Sequence, residues 1–311
     1  MDASTRPSAT RRQTPPLNKR ALAAFLILLV PSILPVLAAQ NPVEPSPLPA
    51  IKEVAVANGA DLALSIGEVT AGEEGIFLTG LVAGPQSATA QDVRWILRNE
   101  LGELVYDEIA SAFQKTLPPG VYHVEARYGH AVRKQAFTLP EGRHLSASLA
   151  FSAGGLRILP ALKNFPAQTL SSQTLVFALS GPDSGKLVAQ SEVPGEILKL
   201  TAGKYRIENR LGSGNAVAVT DVDVRPGFLS ALEVTHAGGL ARFTFAGAPD
   251  ARVNWEVKAE GGASVAVFEG IAQQIALKPG VYQAEAIVNG EVLTARFNIA
   301  TGEERTITLG N

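Results

Sequence analysis

The sequence predicts an all-β protein: three tandem antiparallel β-sandwich modules of about seven strands each, behind a signal peptide and a proline-rich linker. Three observations predict it. Apolar residues alternate with period two along most of the chain, the mark of strands with one buried face. Turn residues separate those runs every 8 to 12 residues or so, and no stretch carries a helical period. A string of the form Leu-x-x-Gly-x-Tyr occurs three times, at intervals of about 80 residues.

The N-terminus reads as a targeting segment. Arg11, Arg12, Lys19 and Arg20 form a basic front, and the run "ALAAFLILLVPSILPVLA" that follows carries no charge. Val36 and Ala38 put small residues where a signal peptidase reads. Residues 1–38 are therefore expected to be a secretory signal, cleaved before Ala39. The alternative is an uncleaved anchor, since the run approaches the roughly 20 residues that span a bilayer. Pro31 and Pro35 interrupt it and disfavour a continuous helix. Residues 39–70 form a linker in which Pro42, Pro45, Pro47 and Pro49 favour an extended stalk. Within it, "ADLALSIGEV" at 60–69 reads either as linker or as an added strand.

The repeats divide the rest into modules at 71–151, 152–235 and 236–311. In each, the Leu of the repeated string ends a strand facing the core. A turn on Gly120, Gly203 or Gly280 reverses the chain. Tyr122, Tyr205 and Tyr282 then start the next strand pointing inward, with the hydroxyl free to reach a backbone group at the sandwich edge. An alternating apolar triplet precedes each tyrosine: Val93-Trp95-Leu97, Leu175-Phe177-Leu179 and Val253-Trp255-Val257. Trp95, Phe177 and Trp255 are thus the expected central core aromatics. After each tyrosine strand comes a hairpin turn: Gly129-His130, the longer "GSGN" at 212–215, and Asn289-Gly290. Asn-Gly suits a two-residue hairpin whose central residues need φ > 0. With Gly129-His130 as the loop, Glu125 falls opposite Lys134.

The string "LPPGVYHVEARYG" resembles the turn-and-strand motif of carboxypeptidase-regulatory-like (transthyretin-like) and other immunoglobulin-like modules. Together with "VRWILRNELGELVYDE" at 93–108, it is similar to tandem repeats in exported proteins of alphaproteobacteria. The resemblance covers residues 71–311 and implies a β-sandwich fold. Some such relatives accompany von Willebrand A domains, but the Asp-x-Ser-x-Ser metal-adhesion motif does not occur here. No metal-dependent adhesion is carried over.

Composition narrows the chemistry. The chain has no cysteine, which removes disulfides, thiolate catalysis, Cys-ligated zinc and a lipid anchor on Cys. Residues 1–38 hold five basic residues and one acidic, so the remainder is more acidic than the whole-chain charge of −2. Nucleic acid is not an expected partner, because it needs a basic stripe. His123, His130, His144 and His236 occupy non-equivalent repeat positions and read as surface histidines rather than metal ligands. There is no G-x-S-x-G elbow, and "SGPDSGK" at 180–186 lacks phosphate-loop spacing. No catalytic, cofactor or metal residues are expected.

The one recurring polar position is three residues after each tyrosine: Glu125, Glu208 and Glu285. It reads either as cross-strand polar pairing on the solvated face or as a stripe presented to a partner. Tyr106 and Tyr128 are the candidates for an exposed sugar platform. The function expected is a non-catalytic scaffold or interaction protein, periplasmic or secreted, with an envelope protein or polymer as partner. A carbohydrate- or peptidoglycan-binding array is the alternative. Membrane contact is expected only through an uncleaved N-terminal segment.

Overall fold

The computed structural model describes residues 62–165 and 170–310. The predicted signal peptide and most of the linker lie outside the described residues. All regular elements among the described residues are strands.

The first module holds β1 (Leu62–Glu68), β2 (Gly75–Val82), β3 (Ala88–Thr89), β4 (Val93–Asn99), β5 (Leu104–Ala110), β6 (Ala112–Thr116), β7 (Gly120–Tyr128), β8 (Ala131–Leu139) and β9 (Arg143–Phe151). The second holds β10 (Ala153–Leu162), β11 (Ser172–Ala178), β12 (Leu187–Ser191), β13 (Ile197–Thr201), β14 (Gly203–Leu211), β15 (Val217–Val224) and β16 (Leu229–His236). The third holds β17 (Gly239–Phe245), β18 (Asn254–Ala259), β19 (Ser264–Glu269), β20 (Ala272–Leu277), β21 (Gly280–Val288), β22 (Glu291–Ile299) and β23 (Glu304–Leu309).

Each module packs a four-stranded sheet, ordered β5-β4-β7-β8 in the first, against a second sheet ordered β13-β10-β16 in the middle module. The third module repeats both arrangements, and the first repeats them with β1 and β3 added to its second sheet, in which β6, β2 and β9 are the counterparts. Pairing is antiparallel with one exception per module. The first and last strands run parallel, as β2 with β9, β10 with β16 and β17 with β23. Alternation within strands carries no trace of this pairing, because it joins segments far apart in sequence. In the first module the stretch left open as linker or strand forms β1, which pairs antiparallel with the outer edge of β9.

The repeated tyrosines do one job three times. Each ring is buried, and each hydroxyl donates to the carbonyl four residues earlier: Pro118 at 2.8 Å, Thr201 at 2.5 Å and Lys278 at 2.8 Å. The turn is thereby closed over its own strand, and the ring's burial stabilises the module by roughly 1.5–3 kcal/mol. Trp95 and Trp255 fill the two outer cores and donate their indole N–H to Ala110 O at 3.0 Å and Gly270 O at 2.9 Å.

Phe177 is not their counterpart. It is half-buried, and the inward residues of β11 are Ser172, Thr174, Val176 and Ala178. The pairing shows why. Tyr122 lies opposite Asn99 and Tyr282 opposite Ala259, whereas Tyr205 lies opposite Ala178. Four residues before these partners stand Trp95, Trp255 and Thr174. Thr174 precedes Tyr205 by 31 residues, while each tryptophan precedes its tyrosine by 27. The connection is four residues longer, which by itself keeps the face; Phe177 stands three residues from Thr174, and that odd offset puts it on the opposite face.

Replacing Trp255 by Ala is expected to cost ~3–5 kcal/mol in chemical denaturation, by loss of transfer energy and creation of a cavity. Phe177→Ala is expected to cost clearly less, about 1–2 kcal/mol, as for a half-buried side chain outside the core. Equal losses would contradict the register.

Candidate functional site

The outer faces of the four-stranded sheets carry the glutamates. Each lies mid-strand on β7, β14 or β21, and each is neutralised within its own module. Glu125 binds Arg127 and lies 3.3 Å from Lys134, its cross-strand partner. Burial pushes its carboxyl up, but the bonds from Arg127 and Lys134 outweigh this and hold it below the usual range. Glu208 pairs with Arg210 at 2.7 Å. Glu285 pairs with Lys258 at 2.7 Å and accepts from Gln283 at 3.1 Å. The three sit on three separate sheets and are not brought together.

The aromatic candidates are engaged inside the protein. Tyr106 is half-buried and stacks on Phe113 with centroids 4.5 Å apart. Tyr128 packs near Phe151, and Lys199 Nζ from the next module sits 4.5 Å over its ring. Among the described residues, no three His, Asp or Glu side chains converge as a metal site. A depression of about 340 Å³ on the outer face of the first module is lined by His123, Glu125 and Lys134. The carboxylate there is bound by Lys134 and Arg127.

The most organised polar and close-packed geometry lies where one module meets the next. At the first junction the β7–β8 turn presses on β13. His130 N donates to Lys199 O at 2.8 Å, and Lys199 Nζ lies 3.8 Å from Asp92. A Cβ on Gly129 would fall 2.6 Å from Lys199 Cβ. Beside this contact, Gly84 in the loop after β2 abuts Gly227 in the β15–β16 turn. The second junction repeats both contacts. The β14–β15 turn presses on β20, with Gly214 so close to Ala276 O that no side chain fits. Asn215 Oδ1 accepts from Lys278 N at 2.9 Å, and its Nδ2 donates to the Tyr282 hydroxyl at 3.2 Å. Asn164, in the loop after β10, reaches the Gly302 carbonyl at 3.5 Å. Leu162, Leu211, Ala216, Leu240 and Ala276 form an apolar plug between the two modules. Leu240 thus serves this junction, while Ala241 and Phe243 face the third module's own core.

Beneath that plug the middle module holds a buried polar network which the sequence reading missed. Asn209 is 0% exposed and His236 is 1% exposed. Asn209 Nδ2 donates to Ser172 Oγ at 3.1 Å and to Thr174 Oγ1 at 2.9 Å. Its Oδ1 lies 2.8 Å from His236 Nε2. With the amide so oriented, Nε2 carries the proton and donates. His236 is therefore a core residue and not a surface one. The signal was present: Asn209 stands four residues after its tyrosine, where the other modules have Ala126 and Ala286.

No family model matches the chain, and no curated protein matches it. Among solved structures, it is similar to the Bacillus anthracis TIE protein, with 15% identity over 76% of this chain and 50% of that one, TM-score 0.25. It is similar to GBS52, the minor pilin of Streptococcus agalactiae, with 12% identity over 52% of this chain and 95% of that one, TM-score 0.29. A streptococcal ancillary pilin gives 13% identity over 76% and 98%, TM-score 0.27. The chain spans about half the length of the first of these. Likeness at such scores carries no argument about function.

The junction geometry makes a testable statement about Gly129. Gly129→Val is expected to loosen the first junction and speed proteolytic cutting around Ser152, between β9 and β10. Gly290→Val imposes similar strain at φ 88° in the equivalent turn of the third module, where no atom lies within 4 Å. It is expected to leave cutting at Ser152 unchanged. Equal effects would show that backbone strain, and not the contact with Lys199, matters.

Proposed function

We propose that this chain is an exported, non-catalytic β-sandwich protein of the cell envelope, a stiff spacer that offers its sheet faces and end loops to an envelope protein or polymer. Residues 1–38 direct export and are removed before Ala39. The modules expected at 71–151, 152–235 and 236–311 are the repeating units of the spacer, with β1 joined to the first and His236 to the second, and the residues before β1 are the stalk.

The observation that carries this reading is the repetition of the junction. Two successive pairs of modules meet through equivalent turns, on equivalent strands, with equivalent loop contacts alongside. Modules joined by free linkers need no such contacts. A docked array holds a surface at a fixed distance, which is a mechanical task. The interior of the modules supports the same reading, because the three recurring tyrosines and the tryptophans of the two outer modules make cores. The outer-face glutamates remain available as part of a contact surface through their paired, hydrogen-bonding edges.

Two experiments test it. N-terminal sequencing of the exported protein is expected to begin at Ala39-Gln40-Asn41; a retained N-terminus would make the segment an anchor. The full chain, immobilised and exposed to envelope extract, is expected to retain a discrete protein or polymer that the same chain unfolded in urea does not. Retention of nothing, or of the same material by both, would remove the scaffold reading.

A further inference from the structure

The two junctions share their architecture but differ in what lies beneath them. At the end of the first module, the last residue of β9 is Phe151, packed near Tyr128. The equivalent last residue of β16 is His236, on the polar network of Asn209, Ser172 and Thr174. His236 Nδ1 is buried and makes no hydrogen bond. We propose that His236 makes the junction between the second and third modules a hinge that opens in acid, while the first junction stays closed.

The path from ring to junction is short. The Ala216 backbone lies near enough to His236 to favour its charged form, though short of a hydrogen bond to Nδ1. Ala216 itself belongs to the apolar plug between the modules. Its neighbour Asn215 holds Lys278 N and the Tyr282 hydroxyl of the third module. A proton on Nδ1 therefore has to be accommodated at Ala216, next to the residue that anchors this clamp.

Nothing nearby offsets the charge. β11 contributes Ser172 and Thr174, β14 contributes Asn209, and β10 places Leu162 beside His236. None of these ionises. Along those segments Lys163, Arg210 and Lys278 are exposed, Glu208 is half-buried and paired with Arg210, and no charged side chain acts on the ring. Burial thus holds the imidazole below its ordinary value, with the Ala216 backbone acting weakly the other way. In the closed junction the ring stays neutral; in the open one it gains access to water and binds a proton. Closure is fully favoured above the open-state value of about 6.5 and weakens as pH falls below it. The first junction has no ionisable group in the corresponding place, and its closing bond, His130 N to Lys199 O, uses only backbone atoms.

Hydrogen exchange on the full chain tests this, with rates corrected for the intrinsic effect of pH. From about pH 7.5 to about pH 5, protection at the Lys278 amide is expected to fall, by up to about tenfold per pH unit below 6.5. Protection at the His130 amide is expected to hold. Equal change at the two amides, or none at Lys278, would overturn the proposal. Asn209→Ala with His236→Phe installs the residues found at 126 and 151 and is expected to abolish the response. A response that persists in the folded double variant would also overturn it. If that variant does not fold, the comparison between the two junctions of the unaltered chain decides the matter. The outcome does not depend on what the protein contacts in the envelope.

Discussion

The close approach of a turn to the backbone of the next module is the contact on which the arrangement rests. A hairpin tip carries few side chains and cannot bury much apolar surface. It docks by bringing its backbone close to an edge strand, with His130 N donating at the first junction and Asn215 Oδ1 accepting at the second. Gly129 and Gly214 permit that approach, since any Cβ at either position would meet Lys199 or Ala276. The edge strands β13 and β20 supply carbonyls or amides that would otherwise be left open, and so the junction also covers part of each sheet edge. The third module's turn is different. Its equivalent of Gly129 is Asn289, at φ 52°.

Inside the modules the logic is local and repeated. A chain without cysteine relies on its cores alone, and each core is fixed at the corner where the tyrosine hydroxyl returns to the carbonyl four residues back. That bond sets the tyrosine strand's starting point, and the strand's pairing with both neighbours follows. The outer modules then fill the centre with tryptophan. The middle module instead places Thr174 there, beside Asn209 and His236, and trades apolar burial for a satisfied amide. A polar interior of this kind costs stability unless its partners are in place, which ties the middle module's integrity to the junction above it.

Much of this was legible in the sequence because it is local. The tyrosine corners follow from Gly and Tyr at fixed spacing. The pairing of Glu125 with Lys134 follows from a two-residue turn, and the structure has that register. What was not legible is long-range or depends on an insertion. The parallel pairing of first and last strands leaves no periodic mark. Phe177 was misplaced because Leu175, Phe177 and Leu179 alternate along the less buried face of β11, and apolar residues on the wrong face satisfy alternation equally well. The close approaches of Gly129 and Gly214 involve the backbone of Lys199 and Ala276, whose side-chain identities give no clue to them. The buried network could have been found by comparing repeats: an asparagine where two alanines stand at a core position requires partners, and the nearest unassigned polar residues were Thr174 and His236.

The central claim is that the three modules move as one body through their docked ends at neutral pH. Because the chain has no cysteine, a single pair introduced by Leu101→Cys and Val292→Cys, both exposed positions at opposite ends of the array, can carry spin labels without competing sites. Pulsed electron resonance on that pair is predicted to give one narrow distance distribution. A broad distribution, as for modules swinging on free linkers, would contradict the account.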